Sequence, residues 1–305
     1  MTSPGSTPRP LLTRRSLLKM SALGAAGLAL YSGEFARHEI EVVHRDIYLD
    51  RLPPAFEGVH IVQLSDIHLD EFTEPYFLRR VLARVNELRP DYIFLTGDYV
   101  TAGVGRKRIG EHAAWQCGGM LRELTCTQRY ASLGNHDHGV GDDLVTEALA
   151  SNGTPVLRNA FLPIERNGAR IWLAGLADPL EGKSDPERAV PASIRNQPSE
   201  PVILLCHAPD YVDRLLKHPA AQSIDLMLSG HTHGGQVRLP LVGALALPHM
   251  GRKYVQGAFQ FGRMQMYVNR GIGAVGVPFR LNCPPEITSF VLHAGPHPQP
   301  AALQG

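Results

Sequence analysis

"VHIVQLSDIHLDEFTEPYFLRRVLARVNELRPDYIFLTGD" (residues 59–98) reads as three consecutive elements, with acidic residues where they join. The run 59–66 is short, apolar and rich in β-branched residues, the composition of a buried strand, and it ends on Asp66. Over 74–90 the apolar residues Phe77, Val81, Leu82, Val85 and Leu88 fall at helical spacing, and Pro90 stops that helix. The run 91–98 returns to strand composition and ends on Asp98. Strand, helix and strand in this order predict a βαβ unit.

The pattern continues outward. It predicts a helix near 108–124, a strand over 129–134, a helix near 141–151, and a hairpin turning at Asn167-Gly168 between 161–166 and 170–176. A strand over 201–207, a helix around 210–217 and a strand over 224–230 follow. From Gln236 to His293 the chain is rich in Gly and Pro and reads more as strand than helix, so the fold class is mixed α/β with a second sheet.

A length of 305 residues with 44% hydrophobic and 19% charged residues suits one large α/β domain or two small ones. The formal net charge of +1, from 30 Lys and Arg against 29 Asp and Glu, is not the footprint of a nucleic-acid binder, and no nucleic-acid partner is indicated. Cys117, Cys126, Cys206 and Cys283 lack C-x-x-C spacing and read as core residues.

Residues 13–33, "TRRSLLKMSALGAAGLALYSG", place Arg14 and Arg15 ahead of a modest apolar run over 20–31, the layout of an export signal. "TRRSLLK" resembles a twin-arginine signal, which implies passage of the folded protein through the twin-arginine export machinery. The run is short for a spanning helix, and no clean cleavage site precedes Glu39, so cleavage and retention as a membrane tether both stay open. The expected organisation is a signal or tether over 1–38 and one domain over 39–305.

Polar residues gather at the predicted strand ends: Asp66 and His68, Asp98, Asn135 and His136, His207, then His231 and His233. Sites in α/β sheets assemble at the carboxyl ends of strands, and residues two apart on an extended chain project to one side. Singly, each is ordinary turn or capping chemistry. Together, imidazoles, carboxylates and one amide oxygen form a mixed N/O set suited to first-row divalent ions. A carboxylate such as Asp98 can bridge two ions, and water between two cations loses its proton near neutral pH, giving a hydroxide nucleophile.

The ordered set over 59–235 resembles the calcineurin-like metallophosphoesterases, and "GHTHGGQVRLP", "GRKY", "NRGIG" and "NCPPEI" extend the likeness toward a bacterial, twin-arginine-exported branch. The resemblance implies a two-sheet β-sandwich flanked by helices in four αββα layers. It implies two divalent ions per chain, manganese foremost with iron or zinc as alternatives. One ion would take Asp66, His68, Asp98 and His233; the other would take Asp98, Asn135, His207 and His231. His136 would be the catalytic residue near the leaving group, acting as general acid. The expected function is phosphoester, above all phosphodiester, hydrolysis by an exported protein that is periplasmic, in the cell wall or on the outer membrane face. A pyrophosphatase of UDP-diacylglucosamine or another lipid-linked diphosphate is the alternative within enzymes, and a non-catalytic metal-binding envelope protein is the alternative outside them. Partners would be a phosphoester substrate, lipid-linked in one reading, and a membrane surface.

Three further stretches bear on substrate. Arg106, Lys107 and Arg108 read as a solvated face that attracts phosphate at most. The apolar stretch 239–251 reads as core in preference to a lipid-facing loop. Arg270 and Arg280 are expected to hold a phosphate bidentately.

Overall fold

A computed structural model describes residues 13–69, 72–103, 105–180, 182–197 and 199–296. The first twelve residues of the expected leader lie outside the described residues. In chain order the strands are β1 (Glu41–Leu49), β2 (His60–Leu64), β3 (Tyr92–Thr96), β4 (Arg129–Ser132), β5 (Ala160–Arg166), β6 (Ala169–Gly175), β7 (Val202–Leu205), β8 (Ile224–Ser229), β9 (Arg238–Leu239), β10 (Gly243–Ala244), β11 (Gly257–Phe261), β12 (Met264–Val268) and β13 (Glu286–Ala294). The longer helices are α1 (Arg14–Leu30), α2 (Pro75–Leu88), α3 (Lys107–Leu121), α4 (Asn135–Val140) and α5 (Asp142–Ala150).

Two large sheets result, in the orders β1-β13-β2-β3-β4 and β11-β12-β8-β7-β6-β5, with β9 and β10 as a separate hairpin. Strands β2, β3 and β4 run parallel in the first sheet, and β6, β7, β8 and β12 run parallel in the second. The turn at Asn167-Gly168 places both residues at positive φ, 51° and 77°, as a two-residue hairpin requires, and joins β5 to β6.

The layers follow from period-2 alternation in strands apolar on both faces. Ile61, Phe94, Leu173, Ile203, Leu205, Leu226 and Leu228 point between the sheets. Their neighbours Val62, Leu64, Ile93 and Leu95 meet Phe77, Leu78, Val81 and Leu82 of α2 and the apolar face of α3. Val202, Leu204 and Met227 pack on the other outer side with Ala189, Ile194 and Val212. Three apolar interfaces between four layers make the αββα sandwich. Between the sheets, the Gln63 amide donates to Ser229 O at 2.9 Å and Thr96 Oγ1 at 3.0 Å, tying the carboxyl ends of β2, β3 and β8 together.

Cys117, Cys206 and Cys283 are buried, Cys126 is half-buried, and all four are free thiols. Helix α1 buries none of its side chains, and Thr13 caps it by accepting the Ser16 N–H at 3.1 Å. Residues 31–38 instead lie against the sandwich: Ser32 O accepts the Arg280 N–H at 3.1 Å, and Arg37 pairs with Glu74 at 2.6 Å. No helix among the described residues is long and apolar enough to cross a membrane.

Candidate metal centre

The seven candidate ligands and His136 come from segments just after β2, β3, β4, β7 and β8, and the fold brings them to one place. Asp66, His68 and His233 can each offer a ligand atom within 4.8 Å of the others, as can Asp98, His207 and His231. Asp98 lies between the groups, its Oδ2 being 3.0 Å from His207 Nε2 and 3.6 Å from His68 Nε2. Asp66, His68, Asp98, His231 and His233 all hold positive φ, between 48° and 72°, a left-handed conformation uncommon outside glycine.

Hydrogen bonds on the far side of each ring decide which nitrogen faces inward. His207 Nδ1 donates to Thr96 O at 2.7 Å, which turns Nε2 toward Asp98. His231 Nε2 donates to His249 O at 2.8 Å, which leaves Nδ1 facing His207 Nε2 at 3.2 Å. On the other side, His233 Nδ1 lies 3.3 Å from Gly273 O and its Nε2 faces His68 Nε2 at 3.2 Å, while His68 Nδ1 bonds Thr101 Oγ1 at 3.0 Å. Two pairs of ring nitrogens therefore converge on either side of one carboxylate, positions from which each pair can ligate a cation. Asn135 Oδ1 is buried without a hydrogen-bond partner among the described residues, an acceptor for which a cation is a natural partner. The donor set fits two divalent ions.

Electrostatics suit the same role. Burial pushes His68 down to about 3 and His231 down to about 4, and it holds His233 well below the usual imidazole range. These rings are neutral at pH 7 and free to ligate. Burial raises Asp66 to about 6. For Asp98 burial acts upward, but His207, His136 and His68 outweigh it and hold the carboxyl well below its ordinary value. His207 is the converse: burial acts downward, Asp98 overrides it, and the ring stays protonated well above the usual value.

Close approach favours glycine beside the ligands. A Cβ on Gly134 would lie 2.3 Å from Asp98 Oδ1, and one on Gly230 would lie 1.9 Å from Ser65 Oγ. A residue that sequence reading missed holds the loops in place. Asp137 is buried and accepts the N–H groups of Asp98 at 2.8 Å, Tyr99 at 2.9 Å and Gly134 at 2.9 Å, clamping the ends of β3 and β4 together. Its only sequence signal was an extra acid inside "GNHDH".

His136 faces the cleft, and its Nδ1 accepts the Ala102 N–H at 3.0 Å. With Nδ1 accepting, the donor position of the ring is Nε2. The cleft measures about 480 Å³; Asp98, Asn135, His136, His231 and His233 line it together with the apolar Val237, Leu245, Leu247, Val275 and Val277.

The candidate phosphate arginines do not reach it. Arg280 is fully buried and donates to the carbonyls of Arg270, Gly271, Gly273 and Cys283, while Arg270 pairs with Glu286 at 2.5 Å and Glu41 at 3.0 Å. Lys107 and Arg108 are exposed on the first turn of α3 and do not line the cleft. The stretch 239–251 is not core as expected: Leu239, Leu241, Val242 and Leu245 are exposed, because the β9–β10 hairpin projects from the sandwich instead of packing under it.

A profile of the calcineurin-like phosphoesterases matches residues 59–235. An uncharacterized metallophosphoesterase of Bacillus subtilis, YkuE, is 34% identical over 291 residues, covering 92% of this chain and 98% of the relative. The phosphodiesterase YaeI of Escherichia coli is 33% identical over 291 residues, 92% of this chain and 100% of the relative. The UDP-2,3-diacylglucosamine pyrophosphatase LpxG of Chlamydia muridarum is 26% identical over 302 residues, 78% of this chain and 85% of the relative.

Proposed function

The chain is a metal-dependent phosphohydrolase of the calcineurin-like phosphoesterase family, and on that premise we propose that it hydrolyses phosphodiesters with two divalent ions held on either side of Asp98. The observation that carries this reading is the pair of 3.2 Å imidazole contacts, His68 with His233 and His207 with His231, flanking one ionised carboxylate. Asp66, His68, Asp98 and His233 would hold one ion; Asp98, Asn135, His207 and His231 would hold the other. Bound there, the ions would supply Lewis acidity toward phosphoryl oxygens and an activated nucleophile.

The chain's own contribution is alignment and hydrogen bonding. Thr96 O, Thr101 Oγ1, His249 O and Gly273 O orient the four imidazoles, so the rings do not reorganise during turnover. With Nδ1 taken by Ala102, His136 would donate a hydrogen bond from Nε2–H toward a phosphoryl oxygen. Service as a general acid would need an imidazolium with a proton on Nδ1, and the Ala102 N–H already occupies that nitrogen. Helix α1, with Arg14 and Arg15 at its start and every side chain unburied, leaves the pair accessible to an export receptor, which supports export of the folded protein. Manganese is the first candidate metal, with iron and zinc behind it, because the N/O set is permissive.

The second reading is a lipid-linked pyrophosphatase, and the apolar wall of the cleft favours it. A nucleotide-linked precursor on the cytoplasmic side weighs against it for an exported chain. The test is hydrolysis of bis(p-nitrophenyl) phosphate by protein loaded separately with manganese, iron and zinc. Turnover abolished by chelation and restored by metal is expected; no turnover with any metal at full occupancy overturns the phosphodiesterase reading and leaves the pyrophosphatase reading to be tested on a lipid-linked diphosphate.

A further inference from the structure

The β9–β10 hairpin exposes greasy side chains at a conformational cost. Its turn places Leu241 at φ 66°, in the left-handed region that turns normally give to glycine or asparagine, and Leu241 is 108% exposed. Val242 beside it is 69% exposed and Leu245 is 57% exposed. A branched apolar residue that costs backbone energy and gains no burial calls for an apolar partner outside the chain.

Two observations identify that partner. The hairpin adjoins the cleft, since Val237 just before it and Leu245 and Leu247 just after it line the space shared with His136 and His231. It is also fixed to the same tripeptide that seats the N-terminal segment: Arg238 N–H donates to Leu281 O at 2.9 Å, Asn282 Nδ2 donates to Arg238 O at 2.9 Å, and the neighbouring Arg280 N–H donates to Ser32 O at 3.1 Å. Just before Ser32 runs α1, with Leu17, Leu18, Met20, Leu23, Leu28 and Leu30 all exposed. Neither 14–33 nor 237–251 contains an acidic residue, while both contain arginine. Two acid-free apolar elements on one anchor match an anionic lipid surface, where stable attachment takes two signals.

We propose that the β9–β10 hairpin is a lip that inserts into a bilayer, and that the centre takes the phosphoester headgroup of a lipid resident in that bilayer. The proposal rests on the phosphodiesterase reading above and adds the source of the substrate. The lip places its apolar side chains among acyl chains, so that a lipid passes along Val237, Leu245 and Val277 with its phosphate leading toward His136.

The test uses the full chain, metal-loaded, and two substrates with one leaving group: dioleoyl-phosphatidyl-p-nitrophenol in vesicles of phosphatidylcholine and phosphatidylglycerol, and water-soluble bis(p-nitrophenyl) phosphate. Vesicle co-sedimentation is measured alongside. The double variant Leu241→Asp/Val242→Asp is expected to lose about tenfold or more in vesicle binding and in turnover of the lipid ester, from the apolar contacts of two side chains. It should keep the soluble-ester rate within about twofold, which also shows that it folds. Equal vesicle binding and lipid turnover by variant and wild type would overturn the lip. A parallel fall on both substrates would overturn it too, by making the hairpin a wall of the site alone. A wild type inert on the soluble ester would remove the phosphodiesterase reading, while the sedimentation result would still decide whether the hairpin meets lipid.

Discussion

The backbone N–H of Ala102 points at Nδ1 of His136 from 3.0 Å, and this contact sets what His136 offers a substrate. With Nδ1 accepting, Nε2 carries the proton and donates it as a hydrogen bond. His136→Ala is expected to lose about 10² to 10³ in turnover, the usual effect of removing one oriented donor. The loss should be the same for p-nitrophenyl and alkyl leaving groups, with metal content unchanged. A loss at least tenfold greater for the alkyl ester would return His136 to the general-acid role.

Asp98 stands within reach of both imidazole groups, 3.0 Å from His207 and 3.6 Å from His68. Asp98→Asn removes the charge that both candidate sites share. Metal analysis should show occupancy of both sites reduced, with activity down by more than about 100-fold. Two ions retained with activity within tenfold of wild type would show that Asp98 is not shared.

Metal binding should release protons. In the metal-free chain Asp98 holds His207 protonated well above its ordinary value, so at pH 7 an ion entering between His207 and His231 must expel that proton. Affinity therefore rises with pH until His207 deprotonates by itself. Below pH 6 the Asp66 carboxyl, raised to about 6, also holds a proton, and affinity should fall more steeply. Calorimetry in buffers of different ionisation enthalpy should count about one proton per chain from His207 at pH 7. No release with both ions bound would show that Asp98 does not hold His207 protonated in the metal-free chain.

Arg14→Lys/Arg15→Lys tests export. Both residues begin a helix with no buried side chain, so folding and metal content should not change. The protein should accumulate in the cytoplasmic fraction. Normal delivery to the cell envelope would exclude the twin-arginine route.

The site was legible because its ligands follow strands whose apolar runs announce them, and because Asp66, Asp98, His207 and His231 each follow such a run directly. Strand β1 was not legible. Its centre reads His44-Arg45-Asp46, three polar residues in succession, and it forms a strand because it is an edge paired only with β13. Asp137 was hidden for a different reason: its three partners are backbone N–H groups, and they leave no mark on the sequence. Arg270 and Arg280 misled because a guanidinium serves carbonyls and carboxylates as readily as phosphate. The apolar composition of 239–251 misled because composition does not distinguish a side chain covered by its own chain from one awaiting a different cover.

The left-handed backbone at Asp66, His68, Asp98, His231 and His233 has a consequence for anyone who improves this protein by selection. Each position costs an L-residue about 1 kcal/mol or more. Asparagine or glycine relieves that cost, so a heat-tolerance screen on metal-free material would reward replacing the residues that make the centre. Libraries sorted for robustness drift toward inert proteins here unless metal is present at every round, when lost occupancy outweighs the relaxed backbone.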